Sequence, residues 1–383
     1  MNQHDIAKEL FSSYSSYQRE DLSPVNCKHG NLQKELLSLK NQGRVFQVSS
    51  LGCSIEGRDI SLVTCGGGVT PVLLWSQMHG DESTATLALM DIFSLLRREH
   101  EKRDWIQEIL SRLTLLFIPM LNPDGAERVQ RRTATGIDMN RDALALVTPE
   151  ARILHDVQQK YSASFGFNLH DQELSSVGQT TDVTAIALLA PAPDQARTTP
   201  PVRERAIKVA DGIAKTLAEF VDGHIATYDD TFEPRAFGDN MQKWGTSTVL
   251  IESGHWYDDR EKQQIRKLNV AAILSALHGI ASGEYESFNG DAYRALQPNG
   301  KQVYDIIVRN ALGVFPTGWK NKVDIGLNYE TNKHSDKLTL KDIGDLSTFG
   351  ALKSIDAQSI RIQLDKLSVD TQVLLEDIVP SSP

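Results

Sequence analysis

The tetrapeptide His79-Gly80-Asp81-Glu82 sets an imidazole and a carboxylate three positions apart, where the apolar run Val72-Leu73-Leu74-Trp75 gives way to a helical pattern. At that spacing two side chains can face one point. A catalytic zinc takes three protein ligands of nitrogen and oxygen type and keeps a fourth position for water, so the pair needs one more partner. His170, in Asn168-Leu169-His170-Asp171 at the end of another apolar run, is the best placed to supply it. A lone His-x-x-Glu recurs by accident at helix starts, and its weight here comes from the residues that accompany it. The helical zinc motif His-Glu-x-x-His occurs nowhere in the chain, which excludes that source of a metal site.

A second constellation runs from Asn122-Pro123-Asp124-Gly125 through Gly136-Ile137-Asp138-Met139-Asn140-Arg141-Asp142 and carries Arg128, Arg131, Arg132 and Arg141. In an acidic chain so dense an arginine cluster is either a solvated loop or an anion site. A guanidinium can grip a carboxylate through two parallel hydrogen bonds and can stabilise an oxyanion.

These residues need elements to position them. Apolar runs of four to nine residues at 72–75, 113–121, 165–169 and 247–251 alternate with helical patterns near 83–98, 150–160, 202–220 and 258–281. That alternation predicts an α/β fold, a mixed and mostly parallel sheet with helices on both faces. His79, Asn122-Pro123-Asp124-Gly125, His170 and Glu252 each follow the end of one of these strands. Ligands of open α/β sheets bind at that edge, so residues far apart in sequence should meet in one crevice. Ahead of them, residues 5–42 predict two short helices, the second with a leucine stripe ending at Gly43, and 45–63 predicts a β-hairpin.

Taken together, Gly52-Cys53-Ser54-Ile55-Glu56-Gly57-Arg58, His79-Gly80-Asp81-Glu82, Asn122-Pro123-Asp124-Gly125, Gly136 to Arg141, His170 and Glu252 resemble, in order, the motifs of the zinc metallocarboxypeptidases, the carboxypeptidase A and B kind with their bacterial branch. The resemblance covers residues 45–280 and implies a carboxypeptidase-like α/β/α fold. It implies one zinc per chain held by His79, Glu82 and His170, with Asp138 orienting His79. It further implies that Asn140 and Arg141 clamp the substrate's terminal carboxylate, that Arg131 polarises the scissile carbonyl with Arg132 as the alternative, and that Glu252 is the general base acting on a metal-activated water. The interval from Glu82 to His170 is shorter than in the digestive enzymes, which implies a more open cleft. The family's mobile tyrosine has two candidates, Tyr228 and Tyr257, and Asp239 is a candidate specificity residue or an ordinary helix-start carboxylate.

The chain has 383 residues, 23% of them charged, and a formal net charge of -10. That balance argues against nucleic acid, which needs clustered lysine and arginine. No apolar run is long enough for a membrane span. The N-terminal residues lack a secretory pattern and leave no room for a pro-segment, so the expectation is a cytoplasmic protein active as made. Three cysteines, Cys27, Cys53 and Cys65, without metal-like spacing read as reduced structural thiols. Seven histidines, among them His155, His278 and His334, read as surface or packing residues.

The domain expectation is a catalytic domain over 1–285, with its N-terminal helices, and a small β-rich accessory domain over 288–383 that is similar to the β-sandwich flanking the barrel of amidohydrolases. The expected substrate is a peptide or a small carboxylate-bearing amide, cleaved by a carboxypeptidase. The alternatives are an amidase or deacylase acting on N-acyl amino acids or cell-wall peptides, and a catalytically dead protein that binds carboxylate-ended peptides.

Overall fold

The alternation of apolar runs and helical patterns becomes a ten-stranded sheet wrapped by helices in the computed structural model, which describes residues 1–41, 45–100, 102–329 and 337–379. Gly43 and His334 lie outside the described residues. Two helices, α1 (Gln3–Ser12) and α2 (His29–Asn41), precede the antiparallel hairpin of β1 (Phe46–Cys53) and β2 (Asp59–Cys65). There follow β3 (Thr70–Ser76), α3 (Thr84–Glu99), α4 (Asp104–Arg112), β4 (Leu113–Ile118), α5 (Pro123–Arg128), α6 (Pro149–Tyr161) and β5 (Phe165–Asp171). Short strands β6 (Ser176–Val177) and β7 (Ile186–Leu189) lead to α7 (Pro201–Val221), β8 (Ile225–Thr227), α8 (Phe237–Lys243), β9 (Ser247–Ser253), α9 (Gln263–Ser282), α10 (Asp291–Ala295) and β10 (Gln297–Gly300).

The strand order is β1-β2-β4-β3-β5-β9-β7-β8-β10-β6. The central strands β4, β3, β5 and β9 are parallel. Every residue of β5 and β9 is buried, as expected of parallel strands covered on both faces. One face carries α1, α3, α7 and α9, and the other carries a second apolar cluster that includes Trp75, Met139, Leu154 and Phe237. α9 is apolar around most of its circumference and is buried along nearly its whole length, the pattern of a core helix rather than a surface one.

A second sheet is formed by β11 (Val303–Val314), β12 (Lys320–Tyr329), β13 (Leu338–Gly344), β14 (Gly350–Asp356), β15 (Arg361–Gln363) and β16 (Gln372–Val373) around its own apolar cluster. β10, although it lies beyond residue 285, belongs to the first sheet, where it pairs with β8 and β6. Among the described residues no helix is long and apolar enough to cross a membrane.

Two local departures from the sequence expectation have physical causes. The strand expected over 113–121 ends at Ile118 because Pro119 follows, and proline has no amide hydrogen to donate to a ladder. The helix expected from residue 258 begins at Gln263, since Asp258 and Lys262 hold left-handed backbone conformations that interrupt it.

One buried ion pair ties the N-terminal segment to this core. Arg266 of α9, 1% exposed, grips Asp91 of α3, and Asp91 also accepts hydrogen bonds from Tyr14 Oη (2.7 Å) and Arg19 N (2.7 Å). Asp91→Ala removes the only carboxylate bonded to this guanidinium among the described residues and strands a buried charge. The expected cost is about 3–5 kcal/mol of unfolding free energy, read by denaturant titration; a loss under about 1 kcal/mol would refute this account.

Candidate metal and catalytic site

The site is assembled at the C-terminal ends of β3, β5 and β9. Just beyond β3 the chain turns through Gln77, at φ 51°, and Gln77 Nε2 donates to Gly80 O at 2.9 Å. Gly80 has no space for a side chain: a Cβ there would lie 2.0 Å from the carbonyl carbon of Gly125. Gly80 therefore lets the backbones of two separate motifs touch, and its N–H donates to Arg131 O across the same junction at 3.3 Å. Asn122 caps α5 by accepting from Gly125 N–H at 2.9 Å, with Pro123 in the first turn. The Gly52 to Arg58 motif acts here as a strut, since buried Asp124 accepts from Ser54 Oγ (2.7 Å), Glu56 N–H (3.0 Å) and Arg58 (2.6 Å).

His79 Nδ1 and His170 Nδ1 each stand 2.7 Å from one oxygen of the Glu82 carboxylate. One ligand atom from each of the three residues falls within a 4.8 Å group, and all three side chains are buried. The far nitrogen of His79, Nε2, faces Asp138 Oδ1 at 3.1 Å. Asp138 in turn is fixed by Asn140 N–H (3.0 Å) and by Arg131, whose Nε and Nη2 lie 3.2 and 3.1 Å from its Oδ2. Arg131 also reaches Glu82 Oε1 at 3.3 Å.

The electrostatics follow from this packing. Burial disfavours charge on His79, but the Glu82 charge and the hydrogen bonds that the ring donates to Asp138 and Glu82 outweigh it and lift the ring to about 9. Burial likewise opposes ionisation of Glu82, and the two histidines override it and hold the carboxyl well below its ordinary range. His170 is pushed down, because burial wins over the attraction of Glu82.

Two imidazole nitrogens and a carboxylate, buried and converging with a bonded acceptor behind one ring, form a donor set of the kind zinc takes. His170 Nε2, buried and without a hydrogen-bond partner among the described residues, leaves Nδ1 as the nitrogen this ring directs at the cluster. The residues fit a metal of that class.

Glu252 stands beside His170, its register partner across β5 and β9. It is 6% exposed, and burial followed by the Glu82 charge pushes its carboxyl well above the usual range. Tyr228 lies near it: the Glu252 charge, then burial, raises its phenol to about 12. Tyr257 instead packs in an aromatic group with His224 and Trp256.

On the opposite flank, Asn140 Oδ1 accepts from Phe237 N–H at 3.0 Å, and Arg141 Nε lies 3.4 Å from Glu233 Oε2. Asp239, in the first turn of α8, accepts from Glu233 N–H (3.3 Å), and burial pushes its carboxyl up to about 6. Arg132 turns back on its own loop and donates to Gly136 O at 3.1 Å. Two residues of the surroundings gave no motif in the sequence, Glu233 beside Arg141 and Lys262 beside Asp171.

A family model described as zinc carboxypeptidase matches residues 36–247. Among curated proteins, carboxypeptidase 2 of Trichophyton rubrum is 28% identical over 100 residues, which are 26% of this chain and 18% of that protein. Carboxypeptidase SOL1 of Arabidopsis thaliana is 23% identical over 146 residues, 36% of this chain and 30% of that one. The match thus spans less than a third of either relative's length. Among solved structures, a metallo-carboxypeptidase from Burkholderia cenocepacia superimposes with a TM-score of 0.55 at 16% identity, covering 67% of this chain and 69% of its own. That likeness shows the α/β fold.

Proposed function

The chain belongs to the zinc carboxypeptidase family of metallopeptidase hydrolases, and from that premise we propose that it removes the C-terminal residue of peptides. The observation that carries the reading is the convergence of His79, Glu82 and His170 donors within 4.8 Å, with Glu252 as the strand neighbour of His170. His79, Glu82 and His170 would hold one zinc per chain. Zinc bound there supplies a Lewis acid and brings the pKa of a water from about 16 to about 7.

The remaining steps belong to side chains of this protein. Asp138, bonded to His79 Nε2, fixes the ring so that Nδ1 points at the cluster, the role such partners ordinarily fill. Glu252 accepts a proton from the attacking water and delivers it to the nitrogen of the departing residue. Arg131, at the lip of the cluster, holds the scissile carbonyl oxygen as it gains negative charge, and Arg132, bonded within its own loop, is the weaker candidate. Asn140 and Arg141, anchored by Phe237 N–H and Glu233, receive the terminal carboxylate of the peptide. Tyr228, near Glu252, offers a phenol to the peptide backbone. The catalytic unit of this reading is 1–285 completed by β10, and the sheet within 288–383 is its accessory.

The test is zinc content by elemental analysis together with hydrolysis of a mixed peptide library read by mass spectrometry. About one zinc per chain and loss of single C-terminal residues support the reading. Zinc with untouched peptides but cleaved N-acyl amino acids would replace it with a deacylase, and a protein that takes up no zinc would overturn it. Arg141→Ala should lower kcat/KM on peptides about 10- to 100-fold, the worth of one charge-assisted contact, while an amidated C-terminus should erase that difference.

A further inference from the structure

Lys262 is a costly residue. It precedes the first turn of α9, where the helix dipole disfavours a cation. Its backbone is left-handed at φ 56°, and its side chain is only 3% exposed. A lysine turned toward water would escape the last of these costs, so an inward one must be held by what it contacts.

The contacts lie at the ends of the two strands that carry His170 and Glu252. Asp171 and Ser253, one position further along, are again register partners. Lys262 Nζ donates to Ser253 O at 3.0 Å and sits 3.6 Å from Asp171 Oδ2. Asp171 Oδ2 also accepts from Thr84 Oγ1 at 2.7 Å, and Asp171 N–H donates to Glu82 Oε2 at 3.2 Å. Asn269 Nδ2 completes the set by donating to Ser253 Oγ at 2.9 Å. One ammonium therefore joins the end of β5 to the end of β9, and through Asp171 it reaches the backbone that holds Glu82.

The turn that carries Lys262 is gripped from outside by the second sheet. The Arg260 guanidinium lies 4.2 Å from the ring centroid of Tyr329 on β12. Asp305 on β11 accepts from Tyr329 N–H at 2.8 Å and feels the charges of Arg260 and Lys262. The segment that leaves β5 is held by β10 and by the second sheet: Gln172 Oε1 accepts from Asn299 of β10 at 2.7 Å, Ser176 Oγ accepts from Gln302 N–H, just ahead of β11, at 3.1 Å, and Gly350 of β14 sits so close that a Cβ would lie 2.2 Å from Thr181 O.

We propose that Lys262 is a positioning residue that fixes His170 against Glu252 by bridging Asp171 and Ser253, and that the C-terminal sheet keeps this bridge closed by holding the turn at 258–262. The proposal rests on the roles given above to His170 and Glu252.

The experiment compares wild type, Lys262→Met, the double variant Lys262→Met/Asp171→Asn, and Tyr329→Leu, all as full chains. The readouts are kcat and KM, zinc affinity by chelator competition, thermal midpoint, and amide hydrogen exchange over 169–173 and 251–255. Lys262→Met should lower kcat about 10- to 100-fold, the effect of a displacement near 1 Å, with KM within about threefold. Exchange should quicken at both strand ends and zinc should bind more weakly. The double variant, which strands no charge, should recover the midpoint without recovering kcat. Tyr329→Leu should quicken exchange over 251–255.

Recovery of kcat along with stability in the double variant, or unchanged exchange in Lys262→Met, would overturn the proposal and leave the ion pair a device of stability alone. Unchanged exchange in Tyr329→Leu would overturn the part given to the C-terminal sheet. Exchange is read without substrate, so an inactive wild type would end the peptidase reading and not this one.

Discussion

Glu252→Gln should lower kcat by about 10²- to 10⁴-fold, the range over which a positioned general base contributes, with KM and zinc content near those of wild type. The substitution keeps side-chain volume at a site only 6% exposed, so a packing defect is not expected to obscure the result. Glu252 is outside the group of converging donors, and its loss should leave the metal affinity of His79, Glu82 and His170 in place. Burial and the Glu82 charge push its carboxyl upward, and in the proposed reaction that favours proton acceptance over remaining a plain counter-charge. The measurement is steady-state hydrolysis of a peptide cut by the wild type, paired with elemental analysis of the same preparations. Retention of kcat within about tenfold would assign the proton transfer to another group, and loss of zinc would make Glu252 part of the metal-holding set.

Much of this site was legible in the sequence because strand ends are easy to place. Four apolar runs end with at most three residues between them and His79, Asn122, His170 and Glu252, and although the second strand stops at Ile118, a parallel sheet brings such ends to one edge whatever their separation along the chain. The resemblance already preferred Arg131 to Arg132, but a geometric difference between the two was hidden, since adjacent residues in a loop share composition and spacing. Closure of that loop through Gly80 N–H to Arg131 O turns one guanidinium toward Glu82 and leaves the other on Gly136. The nearness of Tyr228 to Glu252 was likewise hidden, because it follows β8, a strand of three residues too short to show any period.

The buried pairs were the least legible part. Asp91 and Arg266 stand in helices whose apolar pattern tolerates an occasional polar residue, and only the packing of α3 against α9 makes them partners. Lys262 was hidden for a related reason. Its segment read as the start of a helix, which would send a lysine to solvent, whereas the left-handed turn sends it inward. β10 shows the same limit at the level of topology, since four residues past the expected boundary complete the first sheet and no local pattern says which sheet they join.

His170→Ala should abolish the response of the protein to zinc. In the wild type the two histidines and the carboxylate are buried and already oriented: Glu82 is held by His79, His170, Arg131 and the Asp171 amide. A ligand that binds the folded state alone stabilises it by about 2.7 kcal/mol at a free concentration of 100 times its dissociation constant. Stripping the wild type with a chelator should therefore lower its unfolding midpoint, and readding zinc should restore it. Loss of a residue that merely orients a ligand costs about 10- to 100-fold in metal affinity, and loss of a ligand itself should exceed that. His170→Ala should then unfold at one midpoint with or without micromolar zinc, and its peptidase activity should fall to background. The variant also takes from Glu82 one of the two rings that offset its burial, so its metal-free form should be less stable than metal-free wild type. A variant whose midpoint still rises with zinc as the wild type's does would remove His170 from the metal site, and the alignment of β5 with the catalytic crevice would lose its functional meaning.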